Sequence, residues 1–117
     1  MSMIDQEVFS ELKAHMQNSF PMLLEIYLRD AEKYMNCIEH NMAAGDWGEI
    51  IIAAHSFRSA SGSLGIIELS DKAGKIEFDS IAFKDKNDQN FEKIRADFNA
   101  MKNLFAAVEG DLRAELD

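Results

Sequence analysis

Apolar positions recur along almost the whole chain by threes and fours, the spacing that lines one face of an α-helix. Ile4, Val8, Leu12 and Met16, behind Ser2 and Asp5, predict a short first helix over about residues 4–17. A second opens at Asn18-Ser19-Phe20-Pro21, where a serine before a proline marks a helix start. Phe20, Leu24, Tyr27, Ala31, Tyr34, Ile38 and Met42 carry it to near Gly45. Asp46 caps a third, with Glu49 three residues on as the matching residue of a capping box. Its stripe is Trp47, Ile50, Ala54, Phe57, Ser61 and Leu64, and Gly62 and Gly65 weaken its end. A fourth helix is expected over about residues 66–82, with Ile66, Leu69, Ala73 and Ile76 inward, followed by a polar turn at Lys84-Asp85-Lys86-Asn87-Asp88. The fifth is the clearest: Phe91, Ile94, Phe98, Met101, Phe105, Val108 and Leu112 alternate by three and four over about six turns.

Four long amphipathic helices joined by short connections can bury their stripes only against one another. The fold class expected is therefore all-α, an antiparallel four-helix bundle with the additional short N-terminal helix packed across one end. Residues 1–117 read as one domain, without internal repeat, low-complexity tract or linker, and the initial methionine favours a free-standing protein over an excised domain. A monomer is expected.

Composition narrows the function classes. A net charge of −9 with no clustered basic run argues against nucleic acid and against an anionic membrane surface. No apolar run reaches the length of a transmembrane helix, and MSMIDQEVFSEL carries acidic residues where a signal peptide has a basic region, so a cytoplasmic location is expected. The single cysteine, Cys37, excludes an internal disulfide and reads as a buried helical residue among Tyr34, Met35 and Ile38.

Of the three histidines, His55 has distinctive surroundings. A second face of the third helix, roughly 100° round from the Trp47 stripe, carries Gly48, Ile51, Ile52, His55, Arg58, Ser59 and Gly62. A neutral imidazole offers a ring lone pair to an electrophile. Ser59 and Gly62 leave a bulky partner room to approach, and Arg58 at i+3 can offset added negative charge through charge-assisted hydrogen bonds. His15 and His40 lie near helix ends and read as surface or structural residues. Spacing alone leaves His55 an ordinary half-exposed histidine.

Residues 53–77, AAHSFRSASGSLGIIELSDKAGKIE, resemble the signature of the histidine-containing phosphotransfer (HPt) domain of bacterial two-component phosphorelays. There a histidine is followed by a hydrophobic residue at +2, a lysine at +3, small residues from +4 to +7 and a glycine at +10. The counterparts are His55, Phe57, Arg58, Ser59 through Gly62, and Gly65, and Leu69, Ala73, Ile76 and Glu77 fit the following helix. The chain departs from the pattern at Arg58, a planar fork where the family has a compact ammonium, and at Ser59, where it usually has glycine; both bear on transfer rate.

The resemblance implies a phosphoryl carrier in which His55 accepts phosphoryl from one receiver-domain aspartate and donates it to another. Arg58 would stabilise the phosphoryl group and Glu77 would orient the histidine ring. The implied partners are response-regulator receiver domains and a hybrid sensor histidine kinase. Mg²⁺ is expected on the partner receiver domain, with no cofactor and no metal in this chain. Ile51 and Ile52 are the expected apolar part of the docking surface.

Three other readings compete. A di-iron bundle needs Glu-x-x-His motifs, and no histidine here has a glutamate three positions before it; Cys37 and His40 supply only two ligands. A non-catalytic adaptor bundle would share the fold without a reactive histidine. An autonomous kinase or hydrolase lacks a phosphate loop, nucleophile elbow and nucleotide fingerprint.

Overall fold

The structure, a computed structural model, describes residues 4–86 and 91–117. Its five α-helices are α1 (Gln6–Met16), α2 (Phe20–Ala44), α3 (Trp47–Ser63), α4 (Ile67–Lys86) and α5 (Phe91–Leu116), with one 3₁₀ turn, Gln17–Ser19, between α1 and α2. Helices α2 to α5 pack in sequence order, each against the next, and α5 closes the ring against α2. Helix α1 lies at the end that holds the start of α2 and the α3–α4 connection. There the Asp5 amide donates to the Gly65 carbonyl, and Lys13 pairs with Glu115 across 2.9 Å.

The inward stripes of α2 to α5 form the core, with Leu24, Ala31, Ile38, Ile50, Ala54, Phe57, Leu69, Ala73, Ile76, Ile94, Met101, Val108 and Leu112 closed to solvent. Phe57 lies at the centre, its ring 5.9 Å from Tyr34, 6.2 Å from Phe105 and 6.4 Å from Tyr27. Ser61 sits on the same buried stripe because its hydroxyl pairs with the Tyr27 hydroxyl at 2.7 Å. Burial pushes the Tyr27 phenol well above its ordinary range, which keeps that hydroxyl protonated.

Several local expectations change. The first helix is anchored by Phe9, which is buried and meets the Phe20 ring edge-on at 5.1 Å, whereas Val8, Leu12 and Met16 are only half-buried. Across one bundle end, a helix touches the core over a short stretch, so a single aromatic does the anchoring. Ser19 precedes the second helix as expected but makes no side-chain cap bond, because the 3₁₀ turn already leads the backbone into α2. Asp46 caps α3 by accepting from the Glu49 amide at 3.2 Å; the other half of the box is absent because the Asp46 amide donates to the Asn41 carbonyl. Gly45 ends α2 in the left-handed region, φ 75°. Helix α4 runs through Lys84, Asp85 and Lys86, beyond the expected stop and into the expected turn, while Asn87 and Asp88 lie outside the described residues. Phe83 explains the extension: its ring stacks on Trp47 at 4.3 Å, so the last turn of α4 has its own apolar anchor. Cys37 is half-buried and accepts from Asn41 Nδ2 at 3.3 Å.

One polar cluster lies between α4 and α5. Asp79 and Asp97 are both buried, with Lys93 Nζ 3.5 Å from Asp79 Oδ1 and Lys75 Nζ 3.6 Å from Asp97 Oδ1. The remaining oxygens, Asp79 Oδ2 and Asp97 Oδ2, are buried without a partner among the described residues. Desolvation, reinforced by the neighbouring Asp97 carboxyl, raises the Asp79 carboxyl above its ordinary value against the opposing pull of Lys93. A carboxyl raised on folding holds its proton more tightly in the native state. Its contribution is present below the ordinary aspartate range and is lost as pH rises through the raised value. Asp79→Asn should therefore gain stability relative to the parent as pH goes from 4 to 7. Thermal melts of both proteins across that range test this, and a pH-independent difference would refute it.

Candidate functional site

The buried stripe sets where His55 points. With Ala54 and Phe57 facing the core, the residue between them in phase is turned outward, and the His55 side chain is 55% exposed. Its inner edge meets α4. Helices α3 and α4 run antiparallel in a regular register: Gly48 lies opposite Lys84, His55 opposite Glu77, Arg58 opposite Gly74 and Gly62 opposite Ser70. Small residues make this approach close. A Cβ on Gly62 would meet Ser70 Oγ at 3.3 Å, and that hydroxyl donates across the helices to the Arg58 carbonyl at 2.9 Å. Gly62 is exposed, as is Ser59, so it both leaves the His55 surface open and admits α4.

Glu77 is the least exposed member of the site, at 17% of its side chain, and it uses both oxygens. Oε2 lies 2.8 Å from His55 Nδ1, and Oε1 lies 3.2 Å from Arg58 Nε. Arg58 Nη2 also approaches His55 Nδ1, at 3.1 Å. The two contacts to Nδ1 exclude each other: a guanidinium only donates and a carboxylate only accepts, while one ring nitrogen either carries a proton or offers a lone pair. The shorter contact, to an ionised acceptor, is the stronger. The Nδ1–H therefore donates to Glu77 Oε2, and the lone pair falls on Nε2, at the opposite edge of the ring.

The pair Ile51 and Ile52 divides: Ile51 is half-buried and Ile52 is 60% exposed. Two neighbouring apolar features were not anticipated from the sequence. Helix α4 presents Ile67, Phe78 and Ile81 to solvent, and Phe78, adjacent to Glu77, is 72% exposed. The spacing of these three residues, taken with Gly74, would have revealed a second apolar face on that helix. Beyond Ser59 along α3, an apolar cleft opens against α1 and α2, lined by Leu12, Met16, Leu23, Ile26, Ala60 and Leu64. Among the described residues, neither the His15 nor the His40 side chain has a hydrogen-bond or ion-pair partner. No helix among them is long and apolar enough to cross a membrane, and no group of three or more His, Cys, Asp or Glu side chains could hold a metal ion.

Residues 22–111 match the family model described as Hpt domain. The structure superimposes on the crystal structure of histidine-containing phosphotransfer protein B (HptB) from Pseudomonas aeruginosa PAO1 with a TM-score of 0.88 and 23% sequence identity, over 97% of this chain and 93% of that one. No curated protein sequence matches the chain.

Glu77→Gln removes the charge that holds the Nδ1 proton while keeping the side chain's shape. The ¹⁵N shifts of the His55 ring should move from a dominant Nδ1–H tautomer to a mixture enriched in Nε2–H. Unchanged shifts would show that Glu77 does not select the tautomer.

Proposed function

The chain belongs to the Hpt domain family and acts in histidine phosphotransfer within phosphorelays, and from that premise we propose that His55 is the residue that carries the phosphoryl group, on Nε2. The observation behind this reading is the 2.8 Å bond from His55 Nδ1 to Glu77, which leaves the second ring nitrogen with its lone pair on a half-exposed ring. Nε2 attacks the phosphorus of an aspartyl phosphate on a receiver domain. The N–P bond forms as the P–O bond to the aspartate breaks, and the released carboxylate stays on the receiver. The ring gains positive charge in this step, and Glu77, bonded to the Nδ1 proton, offsets it. Transfer to a second receiver is the same exchange reversed. Such reactions depend on in-line positioning and charge neutralisation more than on covalent help from the carrier.

Arg58, within one turn of His55, supplies a cation for the phosphoryl oxygens once the added charge competes with Glu77 for it. The Mg²⁺ belongs on the receiver beside its aspartate, and this chain needs no cofactor of its own. The partners proposed are response-regulator receivers and a hybrid sensor histidine kinase, met by a monomer in the cytoplasm. Ile52, Phe78 and Ile81 on one side of His55, with the Leu12–Ile26 cleft on the other, are the proposed docking surface, and Ile51 contributes at its edge.

Incubation with a phosphorylated receiver domain and Mg²⁺ tests the assignment. The parent protein should acquire acid-labile phosphate, as should His15→Gln and His40→Gln, whereas His55→Gln should not. Equal labelling of His55→Gln and the parent would sink it. Ile52→Asp should slow transfer about tenfold, the size of one docking anchor, with helicity retained; an unchanged rate would remove Ile52 from the docking surface.

A further inference from the structure

Glycine in a helix interior costs about 0.5–1 kcal/mol relative to alanine, so each such glycine calls for a local reason. Gly74 lies within α4 and does not have the positive φ of Gly45 and Gly65, so its backbone conformation does not demand glycine. What demands it is a neighbour. A Cβ on Gly74 would stand 2.9 Å from Arg58 Cδ and 3.8 Å from Arg58 Cγ. The arginine stem crosses α4 in the space a side chain would fill. From there its head group reaches Glu77 Oε1 at 3.2 Å. Gly110, inside α5, makes the contrast: a Cβ there would meet nothing within 4 Å.

We infer that Gly74 is a positioning residue of the phosphotransfer site, whose missing side chain forms the channel that holds the Arg58 stem and so fixes the Arg58–Glu77–His55 arrangement. This rests on His55 being the phosphoacceptor. Arginine makes the channel necessary: its planar head must meet Glu77 at a set angle, so the stem cannot swing aside without losing that contact. With a methyl group at position 74, the half-exposed stem moves out towards solvent and the guanidinium leaves Glu77. Helix α4 itself has no cause to unfold.

The test is a double-mutant cycle of Gly74→Ala and Arg58→Ala, with Gly110→Ala as control, read by thermal melting, by the rate of transfer from a phosphorylated receiver, and by the Arg58 Nε–H and His55 ring ¹⁵N resonances. Both glycine variants should melt no lower than the parent. Gly110→Ala should transfer at the parent rate. Gly74→Ala should shift the Arg58 Nε–H signal and slow transfer to within about threefold of Arg58→Ala, and in the Arg58→Ala background it should change the rate by less than about twofold. If Gly74→Ala folds poorly but the double variant folds well, the collision with Arg58 is confirmed directly. Parent-like transfer with an unmoved Arg58 signal, an equal slowing in both backgrounds, or loss of fold in the double variant as well would overturn the inference. Equal labelling of His55→Gln and the parent would instead overturn the phosphoacceptor assignment, and the two sets of resonances would still decide whether Gly74 positions Arg58.

Discussion

Burial of Phe57 fixes the rotation of α3, and the rest of the site depends on that rotation. Its ring is closed to solvent at the meeting point of α2, α3 and α5, where turning it outward would open a void in a close-packed core. Truncations of that kind cost about 3–5 kcal/mol. With Phe57 and Ala54 locked inward, His55 must face out and Arg58 must lie along the boundary with α4. No hydrogen bond at the site could impose this by itself, since exposed ion pairs contribute only about 0–1 kcal/mol.

Within that frame, Glu77 divides its two oxygens between a histidine and an arginine. The chemical outcome is an asymmetric imidazole: one nitrogen committed to the protein and the other left for a partner. The arrangement also holds the Arg58 guanidinium within one helical turn of His55, where the proposed phosphoryl group would meet a cation. Gly62 and Gly74 bring α4 close enough for these contacts, the first by admitting Ser70 and the second by admitting the Arg58 stem.

The same pair of chemical groups, carboxylate and cation, has a different effect between α4 and α5. Asp79 and Asp97 are more buried than Glu77, and their lysine partners approach at 3.5 and 3.6 Å, at the outer limit of an ion pair. Burial without close pairing raises the proton affinity of Asp79. Depth of burial against quality of pairing thus separates Glu77, bonded to His55 and Arg58 on one side of α4, from the more desolvated Asp79 on the other.

Hydrophobic periodicity is a local property, and it determined the five helices, the inward stripes of α2 to α5 and the outward placement of His55, because each follows from which residues lie a turn apart on one helix. Resemblance to a known signature supplied the family and singled out Glu77. What only the tertiary structure decided lies between helices: the choice of Phe9 as the anchor of α1 and the extension of α4 over Trp47. The same holds for the ring nitrogen that Glu77 occupies. His55 and Glu77 are separated by 22 positions in the chain, and they meet only because α3 and α4 pack in one antiparallel register through Gly62 and Gly74. A register between two helices is set by side-chain volumes meeting across space, and no spacing along either helix encodes it.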